Sequence, residues 1–336
     1  MQTFRKVIFS GIQPTGNIHL GNYFGAIKRW KELQDADHDC IFSIVDLHSI
    51  TLPQDPKALN EGILKMTATL LACGIDPQKS VIFQQSNVKE HAEFSWILKC
   101  ITTMARLGRL AQFKEKSEKL KEVPLGLYVY PVLQAADILL YKTTHVPVGE
   151  DQSQHIQLAQ DLQRVFNHTY KSEVLVRPTA LISDGPASRV KSLRDPAKKM
   201  SKSDPDPRSY IGLTDPPELI TNKFRKALTD FTSEVSFDPE NRASVSNLIL
   251  IESLSTGLTP DEICERNSNI DTGKYKLVVA DSVIEMLRPI QNNYHRLINE
   301  KGYLISVLRD GAERARTVAN KTLSEVKKVV GLSLEY

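Results

Sequence analysis

The N-terminal half of the chain alternates short apolar runs with segments of helical periodicity. Apolar runs at residues 7–9, 40–45 and 81–83 are each short enough for one buried strand. Between them, residues 22–33 and 57–73 carry apolar side chains at every third or fourth position, which predicts a helix after each of the first two strands. Strands and helices that alternate in this way favour right-handed βαβ units and a parallel sheet.

The middle of the chain continues the pattern with a basic interruption. We predict a basic helical insertion at about residues 98–124, followed by an apolar helix over residues 125–140. Residues 146–148 predict a strand end that leads into a further helix. Ligands in parallel sheets bind at the carboxyl ends of the strands, where His48 and Gln84-Gln85 are also expected to project.

Strand signals largely vanish in the C-terminal third. Four segments there have helical periodicity: residues 217–228, 243–254, 276–298 and 311–330. A kink is expected in the third of these helices at Pro289. We therefore predict an α/β protein, with a Rossmann-like parallel-sheet domain over residues 1–204, including the helical insertion, and an all-α domain over residues 205–336.

The composition is that of an ordinary globular protein, with 41% hydrophobic and 25% charged residues. A net charge of only +3 means that any nucleic-acid surface must come from local patches. The four cysteines are scattered without a C-x-x-C pair, so we expect a reducing compartment, no disulfides and no protein metal site. The longest apolar runs fall far short of the roughly 18 residues of a membrane span. No membrane association is expected.

A glycine-containing loop over residues 9–22 joins the first predicted strand to the first predicted helix. Glycines permit close backbone approach, and a helix start can bind phosphate. The loop is not a Walker loop, because Asn17 and Ile18 stand where Lys and Ser/Thr are required. The pattern is compatible with an ATP-phosphate loop in which His19 donates in the transition state. It is equally compatible with a tight strand-to-helix turn.

A second polar loop, Lys198-Lys199-Met200-Ser201-Lys202-Ser203-Asp204, places three lysines in five residues. A charge run alone is usually a solvated face. Together with the N-terminal Pro-x-Gly-x-x-His-Leu-Gly-Asn, however, it resembles the two ATP-binding motifs of class I aminoacyl-tRNA synthetases. The pair of motifs is far more specific than either one.

The resemblance extends along nearly the whole chain and is greatest to tryptophanyl-tRNA synthetases of the organellar and bacterial kind. The stretches that carry it, besides the two motifs, are residues 44–50, 130–138 and 146–152. It implies a ligase of protein biosynthesis that activates L-tryptophan with ATP, releases pyrophosphate and transfers the amino acid to tRNA(Trp). It also implies Mg²⁺ carried with ATP, a homodimer and an anticodon-binding helical domain. Such phosphoryl chemistry depends on positioning and charge neutralisation, which fits the lack of a nucleophile–base motif in the sequence.

By the same resemblance, the catalytic residues are His19, Lys199 and Lys202. The ATP-binding set that the resemblance implies is Gln13, Pro14, Thr15, Gly21, Asn22, Gly149, Glu150, Asp151, Val190, Lys199, Met200, Ser201, Lys202 and Ser203. Asn22 stands where many class I enzymes have histidine. His19 is therefore the one imidazole of the first motif.

A tryptophan pocket needs a hydrogen-bond acceptor for the indole N–H and flat apolar walls. Asp137 is the family match for the acceptor, and a carboxylate in so apolar a helix is unusual unless it is paired or binds a ligand. The resemblance assigns the apolar walls to Phe9, Val146 and Val148. It assigns contacts with the polar end of the amino acid to His48, Tyr130 and Gln152. Gln134 stands where some bacterial relatives carry methionine.

Two alternatives stay open. A tyrosyl-tRNA synthetase shares the fold and the chemistry, although residues 149–152 favour tryptophan. A small-molecule nucleotidyltransferase without tRNA shares the histidine loop, but it needs no long helical C-terminal domain. Residues 144–147 resemble the mitochondrial and α-proteobacterial branch. We therefore expect the mitochondrial matrix, with the bacterial cytoplasm as the alternative.

Overall fold

The structure is a computed structural model that describes most of the chain. The described ranges are residues 5–118, 120–149, 152–182, 185–202 and 204–334. Three predicted ATP-binding residues lie outside them: Glu150, Asp151 and Ser203.

The chain forms two compact units. Unit 1 comprises Met1–Thr15, Trp30–Ile182 and Ile298–Tyr336, and unit 2 comprises Gly16–Arg29 and Ser183–Leu297. The sequence predicts a domain boundary between residues 204 and 205. The structural units are divided differently, because the C-terminal segment from Ile298 belongs to the unit that contains the sheet. The functional domains drawn from the sequence stay a prediction.

Unit 1 contains a five-stranded parallel sheet, which confirms the predicted α/β class. Its strands are β1 (Val7–Ile12), β2 (Asp39–Ile44), β3 (Val81–Gln84), β4 (His145–Val148) and β5 (Thr179–Ile182), in the order β3-β2-β1-β4-β5. Five of the six residues of β2 are buried, as expected for a central parallel strand covered on both faces. The strand order reverses at β1 and β4, so the crevice at their carboxyl ends is the expected ligand site of such a sheet.

The first predicted helix is built in three pieces. They are α1 (Leu20–Asn22), a π-helical turn (Tyr23–Ile27) and α2 (Lys28–Asp35). The first two pieces belong to unit 2, and most of α2 belongs to unit 1. The next helices, all in unit 1, are α3 (Asp46–Ser49), α4 (Pro56–Ala72), α5 (Glu90–Cys100), α6 (Met104–Leu107), α7 (Ala111–Ser117), α8 (Leu125–Leu139) and α9 (Ser153–Thr169). The predicted basic insertion therefore consists of short helices, not one long helix.

Four helices follow in the second segment of unit 2. They are α10 (Pro217–Arg225), α11 (Ala243–Thr256), α12 (Pro260–Arg266) and α13 (Thr272–Leu297). α11 ends at Gly257, whose φ of 83° is favourable for glycine, and α12 begins with a capping box between Thr259 and Glu262. α13 packs on α10 and α11 and continues through Pro289.

The last helix, α14 (Lys301–Val329), packs against β3, α4 and α5 in unit 1. The approach to β3 is close, because a Cβ at Gly311 would lie 1.8 Å from the carbonyl oxygen of Ile82. The Arg314 guanidinium donates to the carbonyl of Pro77 at 2.6 Å, which fixes the helix next to the start of β3. The C-terminal helix thus completes the sheet unit.

No helix within the described ranges combines the length and the apolar character needed to cross a membrane.

We expect Gly311→Ala to lower the free energy of unfolding by about 1 to 3 kcal/mol, because the new methyl group overlaps the backbone of β3. Urea denaturation measures the change. Gly302→Ala in the same helix is the matched control, since its Cβ meets nothing within 4 Å and alanine favours a helix by roughly 0.5 to 1 kcal/mol. A Gly311→Ala protein as stable as Gly302→Ala would contradict the close packing.

Candidate active site

Asp137 is the centre of a buried polar cluster in unit 1. It lies on α8 with 1% of its surface exposed. His48 on α3 places Nε2 2.7 Å from Oδ2, and His91 on α5 places Nδ1 2.6 Å from Oδ1. Gln85, directly after β3, donates its amide N–H to Oδ1 at 2.7 Å. Three elements that follow neighbouring strands therefore converge on one carboxylate.

These donors keep Asp137 ionised. Burial alone would raise the pKa of the carboxyl group, but the hydrogen bonds from His48 and His91 outweigh it and hold the pKa well below its usual range. A buried charge is tolerable only when it is hydrogen-bonded in this manner. Asp137 is therefore an anionic acceptor in an otherwise apolar helix.

The two carboxylate oxygens of Asp137 accept different numbers of hydrogen bonds. Oδ1 accepts from Gln85 and His91, whereas Oδ2 accepts from His48. An ionised carboxylate offers about four lone-pair positions, roughly two on each oxygen. Counting the donors within the described ranges, Oδ2 retains room for one more N–H. That matches the single donor of an indole ring.

The predicted walls are apolar and lie on adjacent strands. Phe9 on β1 and Val146 on β4 are both 3% exposed, and half-buried Val148 packs against the same core. Phe9 stacks on the ring of Tyr141, with 5.5 Å between ring centroids and 12° between ring planes. The side chains expected to hold a flat ring are thus part of the core of unit 1.

A second polar network surrounds Tyr130. Its hydroxyl donates to Oε1 of Gln112 at 3.0 Å and lies 3.4 Å from Nε2 of buried His155. His155 in turn places Nδ1 3.0 Å from Oε1 of Gln152. Burial raises the pKa of Tyr130 to about 12, so the phenol is a neutral donor. The edge of the His48 ring lies against Tyr130, with 6.2 Å between centroids, which connects this network to the Asp137 cluster.

The sequence did not single out several of these contacts. His91, Tyr141, His155 and Gln112 were not among the candidates, while Gln85 was expected only to project from a strand end. His155 follows Gln152 by three residues at the start of α9, a helical spacing that could have flagged it. His91 lies 46 residues from Asp137, and no local pattern marks it.

The first part of the ATP motif follows β1 in unit 1. Gln13 is exposed, Pro14 is buried and Thr15 is half-buried. The loop passes close over α4, because a Cβ at Gly62 would lie 2.1 Å from the carbonyl oxygen of Pro14. Gly149 directly follows β4 and is exposed. The structure therefore places these predicted residues at the carboxyl ends of β1 and β4, where the strand order reverses.

The remainder of the motif belongs to unit 2, where His19 precedes α1. Asn22 accepts from the backbone N–H of His19 at 3.3 Å and donates its own backbone N–H to the His19 carbonyl at 2.9 Å. Asn22 thus closes the first helical turn. Gly21 lies against the imidazole, since a Cβ there would be 3.0 Å from Cε1 of His19.

His19 is 5% exposed and electrically neutral. Burial, followed by the positive charges of Lys202 and Lys199, lowers the pKa of His19 from 6.5 to about 4. Within the described ranges its Nδ1 atom is buried without a hydrogen-bond partner. The structure therefore brings the imidazole of the first motif close to the lysines of the second, all within unit 2.

The lysine loop is held by backbone and apolar contacts. Met200 is 3% exposed and donates its backbone N–H to the carbonyl of Val190, itself 1% exposed. Lys202 is exposed as a residue, but its ammonium lies over Gly16, where a Cβ would come within 2.9 Å of Nζ. Partial burial lowers the pKa of Lys202. Gly16 has a φ of 71°, so both its conformation and this contact favour glycine. Ser201 is half-buried in the same loop.

The sequence of residues 2–288 matches the family model for class I tRNA synthetases specific for tryptophan and tyrosine. The chain belongs to the class I tryptophanyl-tRNA synthetase family. It is 46% identical to the tryptophan–tRNA ligase of Caldanaerobacter subterraneus over 98% of this chain and 99% of that one. A similar relative from Wolinella succinogenes is 48% identical over 98% of this chain and 99% of that one. Enzymes of this family use ATP to attach tryptophan to tRNA.

Solved structures agree with this family assignment. The tryptophanyl-tRNA synthetase of Campylobacter jejuni, crystallised with ADP and tryptophan, superposes with a TM-score of 0.84 at 33% identity, covering 96% of this chain and 99% of that one. A tyrosyl-tRNA synthetase from Aeropyrum pernix is 20% identical, which shows a shared fold alone. The tyrosine alternative is therefore not favoured. The relatives named for C. subterraneus and W. succinogenes are bacterial, so they lend no support to the mitochondrial prediction.

We expect the stability of the protein to fall as the pH falls from about 6.5 to 4, in part because of His19. In this window the unfolded chain binds a proton at His19 that the folded chain does not, so the free energy of unfolding rises with pH. His19→Gln should remove up to about 3 kcal/mol of that loss, which urea denaturation at several pH values measures.

Below about pH 4 the folded His19 is protonated too, and its contribution stops changing. Exposed His295, also in unit 2, provides the control variant His295→Gln, which should keep the wild-type pH dependence. Equal slopes for wild type and His19→Gln would show that His19 is not held neutral.

Proposed function

We propose that this protein activates L-tryptophan with ATP to form tryptophanyl-adenylate and pyrophosphate, and then transfers the amino acid to tRNA(Trp). The observation that carries this proposal is the ionised, buried Asp137, whose Oδ2 has room for one further donor. Similarity to tryptophan–tRNA ligases over nearly the full chain supports it.

In this proposal the indole N–H donates to Oδ2 of Asp137. Phe9, Val146 and Val148 then provide the apolar walls, and burial of the ring against them supplies most of the binding free energy. The Tyr130, His155 and Gln152 network offers neutral donors and acceptors to the ammonium and carboxylate of the amino acid. An amino acid with a purely apolar side chain would leave Asp137 without its last partner.

ATP is assigned to the glycine loops and the lysine loop. Lys199 and Lys202 carry positive charge near a neutral His19, so the phosphates meet two cations and one hydrogen-bond donor. Negative charge builds on the leaving pyrophosphate during attack by the tryptophan carboxylate, and these groups stabilise it. Since the described part of the chain contains no cluster of three or more metal-binding side chains, we place Mg²⁺ on the phosphates of ATP.

The helical region after residue 205 is assigned to the anticodon end of tRNA(Trp). Within unit 2, Arg225 at the end of α10 and Lys226 directly after it are exposed, and both are close in sequence to a fully exposed Phe231. Basic side chains bind phosphates, and exposed aromatic rings can stack on unpaired bases. The function of α14 is different, because that helix packs on the sheet of unit 1.

We further propose a homodimer. Ile50, Met104 and Leu125 are apolar side chains that are 58%, 76% and 73% exposed. They lie near the start of α8, since the Tyr128 hydroxyl donates to the carbonyl of Met104 and Gly126 lies against Thr51. An apolar surface of this kind is typical of a subunit interface. Because the relatives from C. subterraneus and W. succinogenes, at 46% and 48% identity, are bacterial, we propose the bacterial cytoplasm as the location.

The decisive test of the proposed function is ATP–pyrophosphate exchange with each of the twenty amino acids. Exchange should depend on tryptophan and be weak with tyrosine, because phenol lacks the shape of an indole and its N–H. Equal exchange with tyrosine would support a tyrosyl-tRNA synthetase. Exchange that none of the twenty amino acids supports, but that another small-molecule acceptor of the adenylyl group does, would support a small-molecule nucleotidyltransferase. Charging of tRNA(Trp) with labelled tryptophan then tests the second step.

Lys202→Ala should slow adenylate formation by roughly a hundredfold to a thousandfold, since it removes a cation needed mainly in the transition state. Tryptophan affinity should change little. Lys202→Arg should recover only part of the rate, because a planar guanidinium replaces a compact ammonium. Single-turnover adenylate formation and equilibrium tryptophan binding measure the two effects.

Lys198→Ala is the matched control in the same loop, because Lys198 is exposed and pairs with Asp195 at 2.9 Å. It should retain the wild-type rate. If Lys202→Ala kept a normal rate at saturating ATP, the catalytic assignment would pass to Lys199.

A further inference from the structure

His91 is fully buried and hydrogen-bonded on both sides, to Asp137 and to Tyr141. It is 0% exposed, with Nδ1 2.6 Å from Oδ1 of Asp137 and Nε2 2.7 Å from the hydroxyl of Tyr141. Tyr141 is 2% exposed and stacks on Phe9. A continuous chain of contacts therefore runs from Phe9 through Tyr141 and His91 to Asp137.

The direction of the two hydrogen bonds follows from the chemistry of the ends. Asp137 is ionised and can only accept, so Nδ1 of His91 must carry a proton. Burial, together with the negative charges of Asp137 and Glu90, raises the pKa of Tyr141 well above its usual value, so its hydroxyl keeps its proton. Tyr141 can therefore donate its hydroxyl hydrogen to Nε2 of His91, while Nδ1 of His91 donates to Oδ1 of Asp137.

We propose that His91 is a positioning residue for amino-acid selection, which fixes the carboxylate of Asp137 relative to the aromatic wall formed by Phe9. This inference rests on the proposed function, since it assigns a role within the tryptophan pocket. His91 and Gln85 occupy Oδ1, and this leaves Oδ2 directed to the indole N–H. Tyr141 hydrogen-bonds to the same imidazole and stacks on the Phe9 ring. These contacts fix the distance between the Asp137 acceptor and the Phe9 wall.

A role in filling space alone would not require histidine at position 91. An apolar side chain of similar volume would fill the same space without burying two ring nitrogens that each need a hydrogen-bond partner. The contacts also determine which carboxylate oxygen stays available, which a space-filling residue cannot do. Loss of His91 should therefore alter selection among ligands in addition to stability.

The test compares tryptophan with 3-benzothienylalanine, in which sulfur replaces the indole N–H and the ring shape is kept. The readout is the ratio of kcat/KM values in ATP–pyrophosphate exchange. Wild type should prefer tryptophan because Asp137 loses its last donor with the analogue. In His91→Leu this preference should fall by about tenfold, the effect of one misplaced hydrogen bond to a charged group.

His91→Asn keeps one N–H donor at about the reach of Nδ1 and should retain most of the preference. Tyr141→Phe keeps the ring stack but removes the hydroxyl, and it should give an intermediate ratio. Gln34→Leu is the control for a damaged buried network, because buried Gln34 donates to the Gly74 carbonyl and accepts from Ser80 remote from Asp137 in sequence. It should lower stability and leave the preference unchanged.

The outcomes separate this inference from the function on which it rests. Equal losses with both substrates in His91→Leu would overturn the positioning role. An unchanged preference in Asp137→Ala, which has no acceptor atom in its side chain, would instead remove Asp137 as the indole acceptor, and with it the proposed pocket. As a check on the wild-type protein, ¹⁵N NMR of the His91 ring should show a protonated Nδ1, and an unprotonated Nδ1 would contradict the proposal.

Discussion

The buried carboxylate of Asp137 sets the tightest constraint on the sheet unit. A charge that is 1% exposed must have hydrogen-bond donors around it, and those donors come from elements that follow β2 and β3. The parallel register of β2 with β3 brings His48, Gln85 and His91 to the same side of α8. A shift in that register would leave the carboxylate unpaired, at a cost of about 3 to 5 kcal/mol for a broken buried charge pair. The ligand site and the correct sheet pairing are therefore stabilised by the same contacts.

In unit 2 the buried group next to the charges is neutral, whereas in unit 1 the buried group itself is charged. In unit 2, Lys199 and Lys202 surround an imidazole instead of a carboxylate, and the result is a neutral His19 with a partly buried ammonium nearby. This arrangement places two positive charges close to a buried imidazole. A polyphosphate would reverse both pKa shifts, since its negative charge favours a protonated lysine and a protonated histidine. Binding of such a ligand is thereby coupled to the charge state of the motif.

Much of this architecture could be predicted from local sequence. Periodicity located the first strands and most of the helices, and paired motifs identified His19 and the lysine loop. Asp137 was recognisable because a carboxylate is out of place in an apolar helix. Strand β5 escaped prediction because it is only four residues long and none of them is fully buried. The packing of α14 on β3 was not predictable either, since an amphipathic pattern shows that a helix has a buried face but not which surface covers it.

The acceptor alone cannot explain selection of tryptophan over tyrosine, because a phenol hydroxyl can also donate to a carboxylate. Discrimination requires that the acceptor lie at the distance set by an indole lying against its wall, so the separation between Asp137 and Phe9 is the discriminating quantity. Those two residues belong to α8 and β1, which are not adjacent in sequence and could shift relative to each other. A bridge of buried side chains restricts that freedom: hydrogen bonds join Asp137 to His91 and His91 to Tyr141, and Tyr141 stacks on Phe9. In the pocket that we propose, specificity is thus a property of the bridge as much as of the residues assigned to contact the ligand.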